Sequence, residues 1–473
     1  MNFFNKTYSL TILVCLFFIS TYAQTELKNK IVDFSTMIPV ESASIYIKNT
    51  TTGTISNADG KFVLLVPSTM ENDTLVISSI GYKSFKTLVK DFDNSEEVFL
   101  EEDIASLDEV LLVADTRPKT GNDIVLKMIS RLPDNLPEFP YLEKGFLRHK
   151  ERNKKEFKWL IESAITLYDS SAQSSASGNL KINVDEMRKS YDLRDVDSLL
   201  AYTAYLKQHG KKNFQAKNLR RDTIETASLV KAIKWNDIRT NGLQNFFSGK
   251  LNLLRNTKGD RALFGEKVLD YHQFDLDTVL VDNERKIYKI KISKGESNIN
   301  LETKGIFNAG YIAEGWLYVY WDTYAVKKIE YTLIADSEAQ KTRSRILFDT
   351  QINHKLTVTY MEYDGKMYTN YVSYETPKLV NVGSKAAKSD DKEAEQRAKD
   401  ERYYKTIQEI LFTEIILDPE KIQSTLDGEW NSNIFSIKPY NKSFWDNYNT
   451  LLESKEDEKL ILDLTKRSSL FKD

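Results

Sequence analysis

The stretch GTISNADGKFVL, residues 53–64, decides how the first part of this chain is read. Two runs of alternating apolar residues flank Asn57-Ala58-Asp59-Gly60. Asn and Asp side chains hydrogen-bond their own backbone in turns, and Gly takes the positive φ that a tight reversal needs. Asn57, Asp59 and Gly60 are therefore expected to form a structural turn closing a hairpin. A calcium loop is the competing reading, but placing Gly60 sixth puts Ile55 first and Val66 twelfth, where carboxylates are required. Upstream, Ala43, Ile45 and Ile47 alternate with polar or half-polar residues, and "KFVLLV" and "TLVISSIGY" follow at short intervals. Short strands at this spacing predict a small antiparallel β-sandwich over 24–101, near the lower size limit for a domain without disulfides.

The same region, "KIVDFSTMIPVESASIYIKNTTTGTISNADGKFVLLVP…DTLVISSIGYKSF", resembles the carboxypeptidase-regulatory-like domain. This is a transthyretin-like sandwich found in Gram-negative envelope proteins. The resemblance rests on Val32, Asp33, Pro39, Ala43, Ile45, Gly53, Thr54, Ser56, Asn57, Asp59, Gly60, Phe62, Leu64, Ser78, Gly81 and Tyr82. Lys30 departs from it, standing where the family often has glycine. The resemblance implies an accessory module, not a peptidase. "LDEVLLVADTRP", 107–118, resembles the segment that joins such modules to the plug and barrel of TonB-dependent transporters. No succession of membrane strands follows here, so an adaptor attached to a different body is expected.

The N-terminus, "MNFFNKTYSLTILVCLFFISTYAQ", sets a lysine before a short apolar run and ends in Thr-Tyr-Ala. That pattern predicts a secretory signal over 1–23, hence export to the periplasm, the outer membrane or the cell surface. The single cysteine, Cys15, lies within it, so the mature chain is expected to have no disulfide, thiolate nucleophile or cysteine-bound metal. A net charge of −3 gives no basic excess to neutralise phosphates, which argues against nucleic acid as a partner.

After a linker at 102–120, residues 121–473 are expected to form a larger α+β domain built on an antiparallel sheet. "NDIVLKMISRL" has helical spacing, with Asn122 as the expected N-cap and Pro133 just beyond the end. "YLEKGFLRHKER" and "KEFKWLIESAITLYD" read as strands, as do several runs between 263 and 376. Residues of about 186–256 read as a helical insertion over the sheet, and about 382–402 as a charged, solvated segment. "EGWLYVYWDTYAVKKIEY" resembles the repeated strand-turn-strand unit of outer-membrane lipoprotein carriers, a likeness of fold only. The fold class expected overall is α+β, mainly β.

Catalytic signatures are sparse. His149, His209, His272 and His354 form no H-E-x-x-H or H-x-x-E pattern, and His272 and Asp275 fall on opposite faces of a strand. There is no G-x-S-x-G elbow. "GLQNFFSGKL" misses the phosphate-loop spacing and has Leu251 where a hydroxyl is needed. No catalytic, metal-binding or cofactor-binding residue is assigned. Trp316, Tyr318, Tyr320, Trp321 and Tyr324 could wall an apolar or glycan ligand, although a central strand covered on both faces gives the same pattern. The expected function is non-catalytic binding or assembly in the cell envelope, with an envelope protein or an apolar or glycan ligand as partner and possible peripheral contact with the outer membrane. A periplasmic carrier of hydrophobic ligands and a carboxylate-based hydrolase are the alternatives.

Overall fold

The computed structural model describes residues 24–103 and 117–471, apart from 177, 195, 197, 212, 256, 258–261, 294, 296–298, 302–308, 349, 380–391, 394–395, 397–399, 401–402 and 467–468. The expected signal at 1–23, most of the linker and most of the charged segment at 382–402 lie outside the described residues.

Residues 24–100 form two small sheets. Strands β1 (Gln24–Asp33), β4 (Lys61–Pro67) and β7 (Val98–Leu100) make one, in the order β4-β1-β7. Strands β2 (Ser44–Ile47), β3 (Gly53–Ile55), β5 (Thr74–Ser78) and β6 (Phe85–Leu88) make the other, in the order β3-β2-β5-β6. Alternation along each strand turns Leu27, Ile31, Phe62, Leu64 and Val66 toward Ile45, Ile47, Leu75 and Ile77, giving one shared core. Polar residues brace it: Ser56 Oγ donates to Val40 O (2.7 Å) and accepts from Ala43 N (2.9 Å), and Tyr82 OH donates to Asp33 Oδ2 (2.9 Å). The expected sandwich is present, though not antiparallel throughout, since β1 and β7 pair in parallel, and the protein is mainly β with helices packed on a large second sheet.

Among the described residues that second sheet has eleven strands, and every pairing in it is antiparallel. They are β8 (Tyr141–Asn153), β9 (Phe157–Asp169), β10 (Leu180–Lys189), β11 (Gln273–Asp282), β12 (Arg285–Ser293), β13 (Ile299–Asn300), β14 (Ala309–Tyr320), β15 (Val326–Ala335), β16 (Asn353–Tyr363), β17 (Lys366–Leu379) and β18 (Tyr403–Ile416). The order is β10-β9-β8-β18-β17-β16-β15-β14-β12-β11, with β13 on β14. Strands β11 to β18 thus form a meander, and β18 closes onto β8, which precedes it by about 250 residues. Asp364 and Gly365, both at positive φ (48° and 70°), make the two-residue turn between β16 and β17.

Register assigns the two faces. Leu147, Ile410, Val372, Val358, Ile329, Leu317 and Ile290 line up across the strands and join one large core. Helix α1 (Gly121–Asn135) buries Ile124, Val125, Met128 and Leu132 in that core. Its N-cap is Thr120, whose side chain accepts from Asp123 N, not Asn122. Asn122 instead accepts from Phe274 N (2.9 Å), tying the helix to β11, and the helix continues through Pro133 to Asn135. Helices α2 (Ser198–Gln208), α3 (Thr226–Asn241) and α4 (Leu243–Ser248) make the insertion. Because β10 runs to Lys189, the helical region starts later than 186.

The opposite face carries Phe146, Leu411, Tyr371, Thr359, Lys328, Tyr318 and Lys289 in one row. The sandwich sits here: Ile55 packs with Phe146, Tyr371 and Leu411, and Gly81 N donates to Val281 O (2.7 Å). A C-terminal arm lies between the two bodies. Trp445 is buried on Phe146, Tyr448 OH donates to Gly145 O (2.9 Å), and Arg148 Nη2 donates to Leu451 O (2.9 Å). Helix α5 (Lys455–Thr465) ends the arm with a capping box at Ser454 and Asp457.

Candidate ligand cavity

Between the helix-bearing face of the sheet and the insertion lies a partly enclosed cavity of about 60 Å³. Its lining mixes apolar side chains such as Leu167, Leu180, Phe247, Leu254, Val358 and Met367 with the polar Asn252 and Thr369, and nearly half of its exposed wall is polar. The two-residue period of β8 and β9 brings Tyr141 and Glu143 to the same face as Leu147, and Asp169 to the same face as Leu167. Three ionisable side chains consequently reach this wall: Glu143, Asp169 and Arg255.

Asp169 and Arg255 satisfy each other. Arg255 Nη2 donates to Asp169 Oδ1 (3.0 Å) and Nη1 to Oδ2 in a forked pair. Asp169 also accepts from Tyr141 OH (3.2 Å) and Ser171 N (3.1 Å), and Arg255 Nη2 also donates to Ser171 O (3.1 Å). Glu143 is different. It is only 2% exposed, and its Oε1 has no hydrogen-bond partner among the described residues. Burial pushes its carboxyl well above the usual range, the nearby Asp169 charge adds to the rise, and the Thr369 amide opposes it. Burial and the Asp169 charge thus both favour the protonated form of Glu143. Arg255 Nε–H is likewise buried and without a partner.

A second buried polar cluster fastens the insertion above. Arg194 Nη1 donates to Glu151 Oε2 (3.0 Å) and Asp237 Oδ1 (3.1 Å), and its guanidinium lies 3.8 Å over the Trp159 ring. Lys378 Nζ donates to Glu151 Oε1 (2.7 Å) and Asp237 Oδ1 (3.0 Å). His149 Nε2 is 3.1 Å from Glu151 Oε1, and burial lowers the His149 pKa. These groups compensate one another as a closed ionic network, which gives this cluster a fastening role.

The residues singled out in the sequence lie elsewhere. Trp316, Tyr318 and Tyr320 share the face on which the sandwich sits, and each ring has a cation over it: Lys289 at 4.0 Å, Lys328 at 5.7 Å and Arg285 at 3.9 Å. Tyr320 OH donates to Asp282 Oδ2 (2.5 Å). Trp321 and Tyr324 lie beyond the strand end, with the Arg117 guanidinium 3.6 Å from the Trp321 ring and 5.5 Å from the Tyr324 ring. None of the five lines the cavity. Asn57 Oδ1 accepts from Asp59 N (3.0 Å) and Lys61 N (2.9 Å), and Gly60 has φ 74°. The same turn reaches the arm: Asn57 Nδ2 donates to Glu453 O (2.8 Å), and Asp59 Oδ2 accepts from Lys455 N (2.8 Å), the first amide of α5. His272 and His354 are buried against tyrosines, with Nε2 2.8 Å from Tyr331 OH and 3.2 Å from Tyr311 OH. Among the described residues, no group of three or more His, Cys, Asp or Glu side chains is placed to hold a metal ion. Glu143, Asp169 and Arg255 escaped sequence reasoning. The one local signal was an acid at the inward phase of a strand.

Residues 28–112 match the model of the CarboxypepD_reg-like domain. The chain is also similar to the TonB-dependent receptor SusC of Bacteroides thetaiotaomicron, 34% identical over 135 residues. That likeness covers 28% of this chain and only 13% of the receptor. Among solved structures, a LolA superfamily protein from Nitrosomonas europaea aligns over 64% of this chain and 97% of its own, at 8% identity and a TM-score of 0.20. At that score the likeness carries no argument about the second body. The chain thus carries a CarboxypepD_reg-like domain at its N-terminal end, fixed to a separate eleven-stranded sheet.

Proposed function

We propose that this is an exported, non-catalytic binding protein of the cell envelope. The large sheet and its helical insertion hold a small, mainly apolar ligand, and the sandwich docks the assembly to an envelope partner. The cavity between insertion and sheet carries this reading, because it is a partly enclosed space where aliphatic and aromatic side chains converge with a few polar groups, the common make-up of a small-ligand site. The domain match at 28–112 and the partial likeness to an envelope receptor support the location. A hydrolytic reading would need a free base beside Glu143. Asp169 is committed to Arg255, Tyr141 and Ser171, which argues against it.

Mass spectrometry of protein purified natively from its cell envelope tests the proposal. An N-terminus at Gln24 and a co-purifying apolar compound, lost in a cavity-filling Leu254→Trp variant, are the expected results. An uncleaved N-terminus would refute the exported location. Wild-type and Leu254→Trp proteins equally free of ligand would refute the binding role.

A further inference from the structure

We propose that the helical insertion carries a docking surface for an anionic phospholipid bilayer, formed by the loop between α2 and α3 and the first half of α3. Residues 207–234 hold eight lysines and arginines against two acids, a net +6 in a chain whose total is −3. The nearly balanced total conceals a strong local excess. Lys211, Lys217, Arg220 and Arg221 in the loop, and Lys231 and Lys234 on α3, are all exposed. Among the described residues none of these six has an ion-pair partner. Exposed cations elsewhere are matched, such as Lys86 with Glu284 and Arg285 with Asp322 and Glu362. Aromatic packing holds the cluster together. The Tyr205 and His209 rings, at the end of α2, lie 5.5 Å and 6.0 Å from the Trp235 ring on α3, beside Lys234 and one turn beyond Lys231. The loop that carries the other four cations starts at this contact and ends where α3 begins, at Thr226.

The kind of partner follows from what lies among the charges. Clustered like charges repel one another, and an anionic surface turns that cost into attraction. Apolar side chains are interspersed with the cations: Phe214, Leu219 and Ile224 are half-buried in the same loop, and Val230 on α3 is 44% exposed. The loop is built from single turns at Ala216–Asn218 and Arg221–Thr223, which offer a peptide neither a strand edge nor a long helix face. A bilayer needs neither. It takes cations at its phosphates and apolar side chains just beneath them. Tyr205 and Trp235, both half-buried, are the ring types that settle at headgroup level. The choice of a bilayer over nucleic acid rests on the exported location proposed above.

Vesicle co-sedimentation tests this, using the chain from Gln24 onward, which holds every described residue. The vesicles are phosphatidylcholine alone, or phosphatidylcholine with about 30 mol% phosphatidylglycerol, in about 0.1 M salt. Wild type should bind the anionic vesicles at least about 100-fold more tightly than the neutral ones. A triple variant, Lys217→Gln with Arg220→Gln and Arg221→Gln, should weaken that binding about 100-fold, roughly fivefold for each cation at the surface. A control, Lys61→Gln with Lys119→Gln and Lys127→Gln, removes the same charge from exposed positions elsewhere and should stay within about twofold of wild type. All six positions are exposed, so both variants should keep the wild-type circular dichroism spectrum. Soluble dextran sulfate should bind wild type more weakly than the anionic vesicles, because it offers no apolar layer. No preference for anionic vesicles, or an equal loss in the two variants, overturns the docking surface. Dextran sulfate binding as tightly as the vesicles overturns the bilayer and points to an acidic polymer or protein instead. Vesicle binding reads neither export nor the cavity, so its failure leaves the proposed function standing.

Discussion

Replacing Asp237 with alanine should release the helical insertion without unfolding the rest of the protein. Asp237, on α3, is 4% exposed and accepts from Arg194 and Lys378, which also share Glu151. Its removal leaves two buried cations facing Glu151 and the more exposed Asp192. Breaking a buried pair from one side costs about 3–5 kcal/mol, because the remaining charge is desolvated and unbalanced. If the insertion opens as a unit, that energy raises amide exchange along Thr226–Asn241 roughly 10²- to 10⁴-fold. Amides of β1 and β4 in the sandwich should change by less than about twofold. The folded-state pKa values of Asp237 and Glu151 lie below their ordinary values, so the network's contribution is full above about pH 5 and declines only in stronger acid. The effect should therefore be the same at pH 6 and pH 8. A double variant, Asp237→Leu with Lys378→Met, restores charge balance and should recover most of the protection. Hydrogen exchange read by mass spectrometry measures all of this. Protection of α3 within about threefold of wild type in Asp237→Ala would refute the fastening role of the network.

Burial holds His272 at a pKa of about 4, below its ordinary 6.5, so neutral imidazole is the folded form. Stability from this group is complete above about pH 6.5 and is lost as pH falls toward 4, by about 3 kcal/mol. Urea denaturation at pH 7, 5.5 and 4 should show that slope, and His272→Gln should flatten it. Gly60→Ala should cost about 1–3 kcal/mol in the sandwich, because φ is 74° and a Cβ would press on Ile31 O; an unchanged urea midpoint would count against it. Asp59→Ala removes a carboxylate from the first amide of α5 and should weaken the arm by about 1 kcal/mol. Faster limited proteolysis between Asn449 and Lys455 is the expected readout.

The sandwich was legible because its information is local. Ile45 and Ile47, or Phe62 and Leu64, announce their faces by alternation, and the Asn57-Asp59-Gly60 turn carries its own hydrogen-bond chemistry within five residues. The start of α1 was legible only in outline. Thr120 won the cap because Asn122 is drawn away to Phe274, 152 positions later, which no local rule contains. The aromatic run at 316–324 read equally well as a ligand wall or a covered strand. The cations that lie over it come from β12, β15 and the linker.

In the sandwich and in strands such as β8 and β9, strand identity, phase and turn positions were thus determined by the sequence alone, since each depends on backbone geometry and side-chain type within a few residues; the end of β10, read as helical insertion, was not. Tertiary structure alone decided that β18 lies beside β8, and that Glu143, Asp169 and Arg255 meet at one cavity. Those outcomes join residues up to about 270 positions apart. They depend on which apolar faces bury one another, a choice that short-range pattern does not encode.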